Sequence, residues 1–295
     1  MTAGASARLT ATAADLPEAV AAALVNPIPG TPAAVPAGGI SWGTLSWGNP
    51  SDPPLLLVHG VTSNAAIWWR VGPALAAADR RVIAVDMPGH GAATAWLGRH
   101  RFTDTAAELA GFIRAAGLDR PDLVVVGHSW GAMVSAHLPI AGIRPASIVL
   151  IDPPCLSVDQ LEALTHDSTE REYSTPDEAR SAVRSANPAW SEGDVEAKAR
   201  ALVEFDAACV LAVLLRNGPW DAGMAGLRDP SAWGIPTWLI RGEWATGGFI
   251  PGAQVPAIEE QLGPGHVITI AGGPHSPQRT HPEATVLAIL RALRG

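Results

Sequence analysis

Two side chains of the sequence, Ser129 and His275, carry the chemistry that is easiest to recognise. Ser129 lies in Gly127-His128-Ser129-Trp130-Gly131, a Gly-x-Ser-x-Gly pentapeptide. A serine hydroxyl is a poor nucleophile until a neighbouring base takes its proton, and that base must itself be held in one tautomer by a third group. The pentapeptide is weak by itself, because the chain contains a second one, Gly39-Ile40-Ser41-Trp42-Gly43. Context separates them. A nucleophile elbow needs a strand before it and a helix after it, so that the sharp turn lifts Oγ above the sheet. The run Leu123-Val124-Val125-Val126 precedes Gly127, and Ala132-Met133-Val134-Ser135-Ala136 follows Gly131. The two glycines let the backbone fold tightly around a strained serine. Ser41 instead follows Val35-Pro36-Ala37-Gly38 and leads into an alternating segment, Leu45 to Trp47, which reads as entry into a strand. Of the nine histidines, His275 in Ala271-Gly272-Gly273-Pro274-His275-Ser276 follows the last apolar run, the position of the base in the order nucleophile, acid, histidine. His266 and His281 are the nearest competitors.

These side chains need elements to position them. Short apolar, β-branched runs recur at Leu55 to Val58, Val82 to Val85, Leu123 to Val126, Ile148 to Ile151, Trp238 to Ile240 and Val267 to Ile270, and they read as buried parallel strands. Helix-like segments lie between the first four: Ala65 to Ala78, Thr103 to Ala116 and Trp130 to Leu138, the last ended or kinked by Pro139. This alternation predicts an α/β fold with a mostly parallel, doubly wound central sheet. The cadence lapses once, over the 90 residues from Ile148 to Trp238. That stretch, residues 154–232, is expected to be an inserted helical lid, with Glu192 to Leu215 its clearest helix run. The expected core is then residues 40–153 and 233–295, preceded by an Ala/Pro-rich N-terminal extension over residues 1–39.

The ordered motifs resemble the lidded α/β-hydrolase family over roughly residues 40 to 295, in its serine-nucleophile, esterase- or lactonase-like branch. The residues that carry the resemblance are His59-Gly60-Val61-Thr62, Asp86-Met87-Pro88-Gly89-His90-Gly91, the elbow, and the segment around His275. The resemblance implies an oxyanion hole built from the backbone N–H groups of Val61 and Trp130, and loop-fixing roles for His59 and Asp86. It also bears on the acid. Most relatives place it after the strand that follows the lid, often as Asp three residues beyond a glycine; here Gly242 leads to Glu243-Trp244-Ala245, with alanine at that place. Asp152, which ends the strand Ile148 to Ile151, matches a branch with the acid after the strand preceding the lid. Asp152 is the expected acid and Glu243 the alternative.

The composition bounds the rest. A net charge of −8 offers no basic face for nucleic acid or for an anionic membrane surface. No apolar run approaches the roughly 18 residues needed to span a bilayer, and no basic segment precedes Leu16 to Val25, so a cytoplasmic protein is expected. Cys155 and Cys209 read as ordinary thiols. No metal-ligand spacing and no phosphate or dinucleotide glycine fingerprint is present, so no cofactor is expected. Eleven tryptophans stand against one tyrosine. Trp68, Trp69, Trp190, Trp220 and Trp244 are the candidate substrate contacts, with Trp233 a further aromatic side chain at the end of the lid, and they suggest a bulky apolar small-molecule substrate. The expected function is cleavage of a carboxylic ester or lactone through an acyl-enzyme. Alternatives are a carbon–carbon bond hydrolase with the same triad and a non-catalytic ligand-binding homologue. Epoxide hydrolases and haloalkane dehalogenases are disfavoured, since those relatives carry Asp where Ser129 stands. A homo-oligomer is left open, because an apolar lid face and a dimer face look alike in sequence.

Overall fold

A computed structural model of the chain describes residues 7–93 and 96–294. The strands are β1 (Ala7–Leu9), β2 (Thr31–Ala37), β3 (Ile40–Trp47), β4 (Pro54–Val58), β5 (Arg81–Val85), β6 (Val124–His128), β7 (Ser147–Ile151), β8 (Cys155–Leu156), β9 (Trp220–Asp221), β10 (Thr237–Arg241) and β11 (Val267–Ile270). Among the described residues, nine of them form one sheet in the order β1-β11-β10-β7-β6-β4-β5-β3-β2. Pairing is parallel from β1 to β5, and only the β5–β3 and β3–β2 pairs at one edge are antiparallel, so β3 alone runs against the rest.

Both faces of the sheet are covered, which is why its central strands are continuous apolar runs. Along β4, Leu55 and Leu57 face one core while Leu56 and Val58 face the other, the alternation of a pleated strand. The first core is closed by the helices α1 (Glu18–Val25), α2 (Val71–Ala76) and, from the C-terminal end, Pro282–Ala292; the second by α3 (Phe102–Ala115) and α4 (Trp130–Ala136).

Between β7 and β10 the chain forms α5 (Val158–Leu164), α6 (Pro176–Ala186), α7 (Glu192–Val203), α8 (Ala207–Leu215) and the short α9 (Met224–Leu227). The antiparallel pair β8–β9 closes the base of this insert. The C-terminal part adds α10 (Val255–Leu262), α11 (Pro277–Thr280) and α12 (Pro282–Ala292). No helix among the described residues is long and apolar enough to cross a membrane.

Three boundaries differ from the sequence reading. Residues 7–37, set outside the core, supply both edge strands of the sheet, and α1 buries Val20 and Leu24 beneath it. The Ala- and Pro-rich composition hides this, since β2 is an exposed edge strand whose two prolines need not donate to a second neighbour. The helix expected over Ala65 to Ala78 is a 3-10 turn, Ala65–Trp68, followed by α2. The run Glu192 to Leu215 is two helices. Its break at Phe205 is held by Gly91 N–H to Glu204 O (2.8 Å) and Asp206 N–H to Gly89 O (2.7 Å), and Asp206 then caps α8 by accepting from Cys209 N–H. The cap offers the backbone an alternative to continuing α7.

Candidate active site

Ser129, Asp152 and His275 come from three loops at the C-terminal ends of β6, β7 and β11. The elbow is a consequence of close backbone approach. A Cβ at Gly127 would lie 2.4 Å from Gly131 O, and one at Gly131 would lie 2.4 Å from His59 O. Strand β6 therefore turns into α4 within a single residue, and Ser129 takes φ 54°, ψ −120°. Asp152 is similarly strained at φ 40°.

His275 bridges the other two. Its Nε2 is 3.0 Å from Ser129 Oγ and its Nδ1 is 2.7 Å from Asp152 Oδ2. The Asp152 carboxylate can only accept, so Nδ1 carries the proton and Nε2 is the free base facing the serine hydroxyl. Asp152 is fully buried. Gly242 N–H donates to its Oδ1 (3.0 Å) and Phe249 N–H to its Oδ2 (2.8 Å), so both carboxylate oxygens are held by main-chain donors. The alternative acid, Glu243, is not brought to the histidine. Its carboxylate accepts from Arg8 Nε at 2.8 Å, and that hydrogen bond holds it below the usual carboxylate range. The Glu243 N–H donates to Gly273 O, and the side chain reaches Arg8 of β1 instead of the imidazole.

One histidine and one aspartate, His59 and Asp86, brace the surroundings. His59 donates from Nδ1 to Gly60 O (2.7 Å) and accepts Met87 N–H at Nε2 (3.0 Å). Burial pushes it down to about 4, so it is a neutral spacer. Asp86 accepts from Ala65 N–H and Ala92 N–H, at 2.7 and 2.9 Å. Together they pin the loop that carries Gly60 and Val61. Gly60 is close enough that a Cβ there would sit 2.9 Å from Ser129 Cβ. Val61 lines the cavity above Ser129, and Trp130, first residue of α4, has an N–H with no partner inside the helix.

The site opens into a cavity of about 350 Å³ between the carboxyl-terminal edge of the sheet, where its parallel strands end, and the insert. Leu156, Leu161, Val210, Leu214 and Trp220 form much of its apolar wall. Of the tryptophans proposed as contacts, Trp190 and Trp220 line it. Trp68 does not: the 3-10 turn buries it completely in the core on the opposite face of the sheet. Trp69 packs on Gly193 and donates to Asp194 Oδ1 (3.1 Å). Trp244 is half-exposed, Trp233 is exposed, and neither lines the cavity.

Sequence reasoning missed several residues here. Phe249 stacks on the His275 ring at 4.0 Å, and His128 lies with its ring 4.9 Å from that of His275 and donates from Nε2 to His275 O (2.9 Å). His128 was visible as the second residue of the pentapeptide; nothing marked Phe249. A polar wall was also unforeseen. Lys198 and Arg279 are both buried and line the cavity. Lys198 Nζ donates to Thr62 O, Thr62 Oγ1 and Glu170 Oε2 (2.9, 3.0 and 2.5 Å). Cys155 and Cys209 are free, and burial pushes their thiols up to about 11 and about 12, which leaves them unreactive at neutral pH.

A doubly covered parallel sheet, a strained serine at a strand-to-helix turn and a hydrogen-bonded histidine–carboxylate pair define the class. The chain belongs to the α/β-hydrolase fold family, whose profile matches residues 53–240. It is 34% identical over 152 residues to the lipase LipV of Mycobacterium tuberculosis, covering 49% of this chain and 54% of that protein. It is 37% identical over 119 residues to 2-(acetamidomethylene)succinate hydrolase of Mesorhizobium japonicum, covering 39% and 41%. The chain thus spans about half the length, or less, of these curated relatives. Among solved structures, E-2-(acetamidomethylene)succinate hydrolase superposes with a TM-score of 0.75 at 24% identity, over 90% of this chain and all of that one.

Proposed function

We propose that the protein is a serine hydrolase that cleaves a carboxylic ester or lactone through an acyl-enzyme. The observation that carries this reading is the continuous chain Ser129 Oγ, His275, Asp152, opening into a largely apolar cavity.

Ser129 Oγ attacks the carbonyl carbon as His275 Nε2 takes its proton. The positive imidazolium is stabilised by Asp152, whose remaining lone pairs are held by main-chain donors. The negative oxygen of the tetrahedral intermediate receives the N–H groups of Val61 and Trp130; one such donor is typically worth about 10² to 10³ in rate. Collapse expels the alkoxide, which takes the proton from His275. Water, activated by the same imidazole, then releases the acid and restores Ser129. The insert acts as a lid whose apolar wall, with Trp190 and Trp220, receives a bulky apolar portion of the substrate.

The test is a panel of p-nitrophenyl esters and lactones with mass detection of a fluorophosphonate adduct. Turnover with one adduct on the wild type and none on Ser129→Ala supports the reading. A wild-type protein that neither labels nor turns over any member sinks it.

A further inference from the structure

The wall of the cavity formed by α7 and α11 holds a charge imbalance. Among the described residues that are buried or half-buried there, three cations, Arg70, Lys198 and Arg279, meet two carboxylates, Asp194 and Glu170, with Arg70 and Asp194 set behind the lining. Each carboxylate is already engaged. Asp194 accepts from Arg70 Nη2 (2.6 Å), Ser191 Oγ (2.6 Å) and Trp69 Nε1 (3.1 Å). Glu170 accepts from Lys198 and from Thr62. Lys198, with its three donors spent, is matched. Arg279 is not.

Arg279 is 5% exposed, lines the cavity, and lies four residues beyond His275. Its guanidinium packs at 4.7 Å over the Trp190 ring and makes one hydrogen bond, from Nη1 to the neutral peptide oxygen of Asp194 (3.0 Å). It forms no ion pair among the described residues. A guanidinium carries five N–H donors in a planar fork, so most of its capacity is unspent. Burying such a charge without a close counter-ion is costly, so a ligand that supplied one would offset that cost. Burial pushes Arg279 down to about 10 despite the fields of Asp194 and Glu170. Elsewhere in the cavity lining, the buried hydroxyl of Ser63 also lacks a partner. Asp167, Arg171 and Glu172 line the cavity too, but they are exposed, so water screens them.

We infer that Arg279 is a binding residue for an anionic group, a carboxylate, on a substrate whose remaining body is apolar. This rests on reading the cavity as the substrate pocket and sharpens its class from a neutral ester to a carboxylate-bearing one. The fork would accept the carboxylate in two parallel hydrogen bonds, with the apolar body against Leu161, Leu214 and Trp220.

The test is equilibrium binding of 4-phenylbutanoate and of 4-phenylbutanamide, which share an apolar body and differ in charge, measured by calorimetry on the wild type at pH 8. The acid is expected to bind at least tenfold more tightly. The preference should fall at least tenfold in Arg279→Gln and persist in Arg171→Gln. Equal affinities in the wild type, no binding of either compound at millimolar concentration, or loss of the preference in Arg171→Gln instead overturns the inference. The wild-type comparison stands even where Arg279→Gln does not fold. Fluorophosphonate labelling run in parallel separates the two claims. Acid preference without label removes the hydrolase reading and keeps the anion site, whereas label without acid preference does the reverse.

Discussion

The sheet edge and the helical insert face each other across one cavity, and they are held by different kinds of interaction. At the sheet edge, the groups around Ser129 are fixed by main chain: two N–H donors hold Asp152, the elbow glycines admit no side chain, and His59 locks a loop through a carbonyl and an N–H. On the insert side, α7 is tied by side chains, with Arg70–Asp194 and Lys198–Glu170 as ion pairs. Away from the elbow glycines, a main-chain scaffold keeps atoms in place whatever side chains surround it, so it suits chemistry common to many substrates. A side-chain wall can be rewritten residue by residue, so it suits selection among them.

The largest expected effect breaks the first region. Ser129→Ala should reduce ester turnover by roughly 10⁶; a loss smaller than a hundredfold in a steady-state assay would mean another nucleophile operates. Asp152→Asn should lower turnover by about 10⁴, because the amide can no longer hold the histidine in its required tautomer. Glu243→Gln, assayed beside it, belongs at the bottom of the scale with a change within about twofold. If the two results were exchanged, the geometry of the carboxylates would have misled.

Stability should also divide the regions. His59 is lowered to about 4 and His90 to about 3, both by burial. An unfolded imidazole has a pKa near 6.5. Below that value the unfolded chain takes up protons that the folded chain refuses, so stability is full above about pH 6.5 and is lost as pH falls toward 4. For His59 the loss is on the order of 3 kcal/mol, at about 1.4 kcal/mol per unit. Urea unfolding at pH 7.5 and pH 5 should show the midpoint dropping, and the drop should shrink in His59→Gln.

On the insert side, Asp194→Ala removes acceptors from Arg70, Trp69 and Ser191 at a site that is 2% exposed. About 3 kcal/mol of stability should be lost, as for breaking a buried ion pair. Denaturant titration checks this. Trp220→Leu should act more mildly, raising KM severalfold with kcat nearly unchanged, since it trims the apolar wall without touching the reacting atoms.

Much of the site was legible before any tertiary structure. Ser129 and His275 stood out because a strand, two glycines and a helix-forming run leave a local signature, and because the histidine follows the last strand. Asp152 could be named only beside Glu243, since both end apolar runs, and nothing local says which loop curls back toward the imidazole. The sheet interior was readable for a similar reason: strands buried on both faces are unbroken apolar runs. The edge strands from residues 7–37 were not, because an edge faces partners on one side only and carries little hydrophobic pattern.

What the sequence by itself determined is therefore the local pattern: the elbow serine, the histidine after the last strand, the alternation of strand and helix, and the interruption where the insert lies. Tertiary structure decided everything that depends on which distant segments meet. It chose Asp152 through the N–H groups of Gly242 and Phe249, turned Trp68 away into the far core, and left the charge of Arg279 unmatched among residues from three separate stretches of chain. The physical reason is range. Turn strain and periodicity act within a few residues, whereas counter-ions, cavities and catalytic hydrogen bonds are made between residues that only folding brings together.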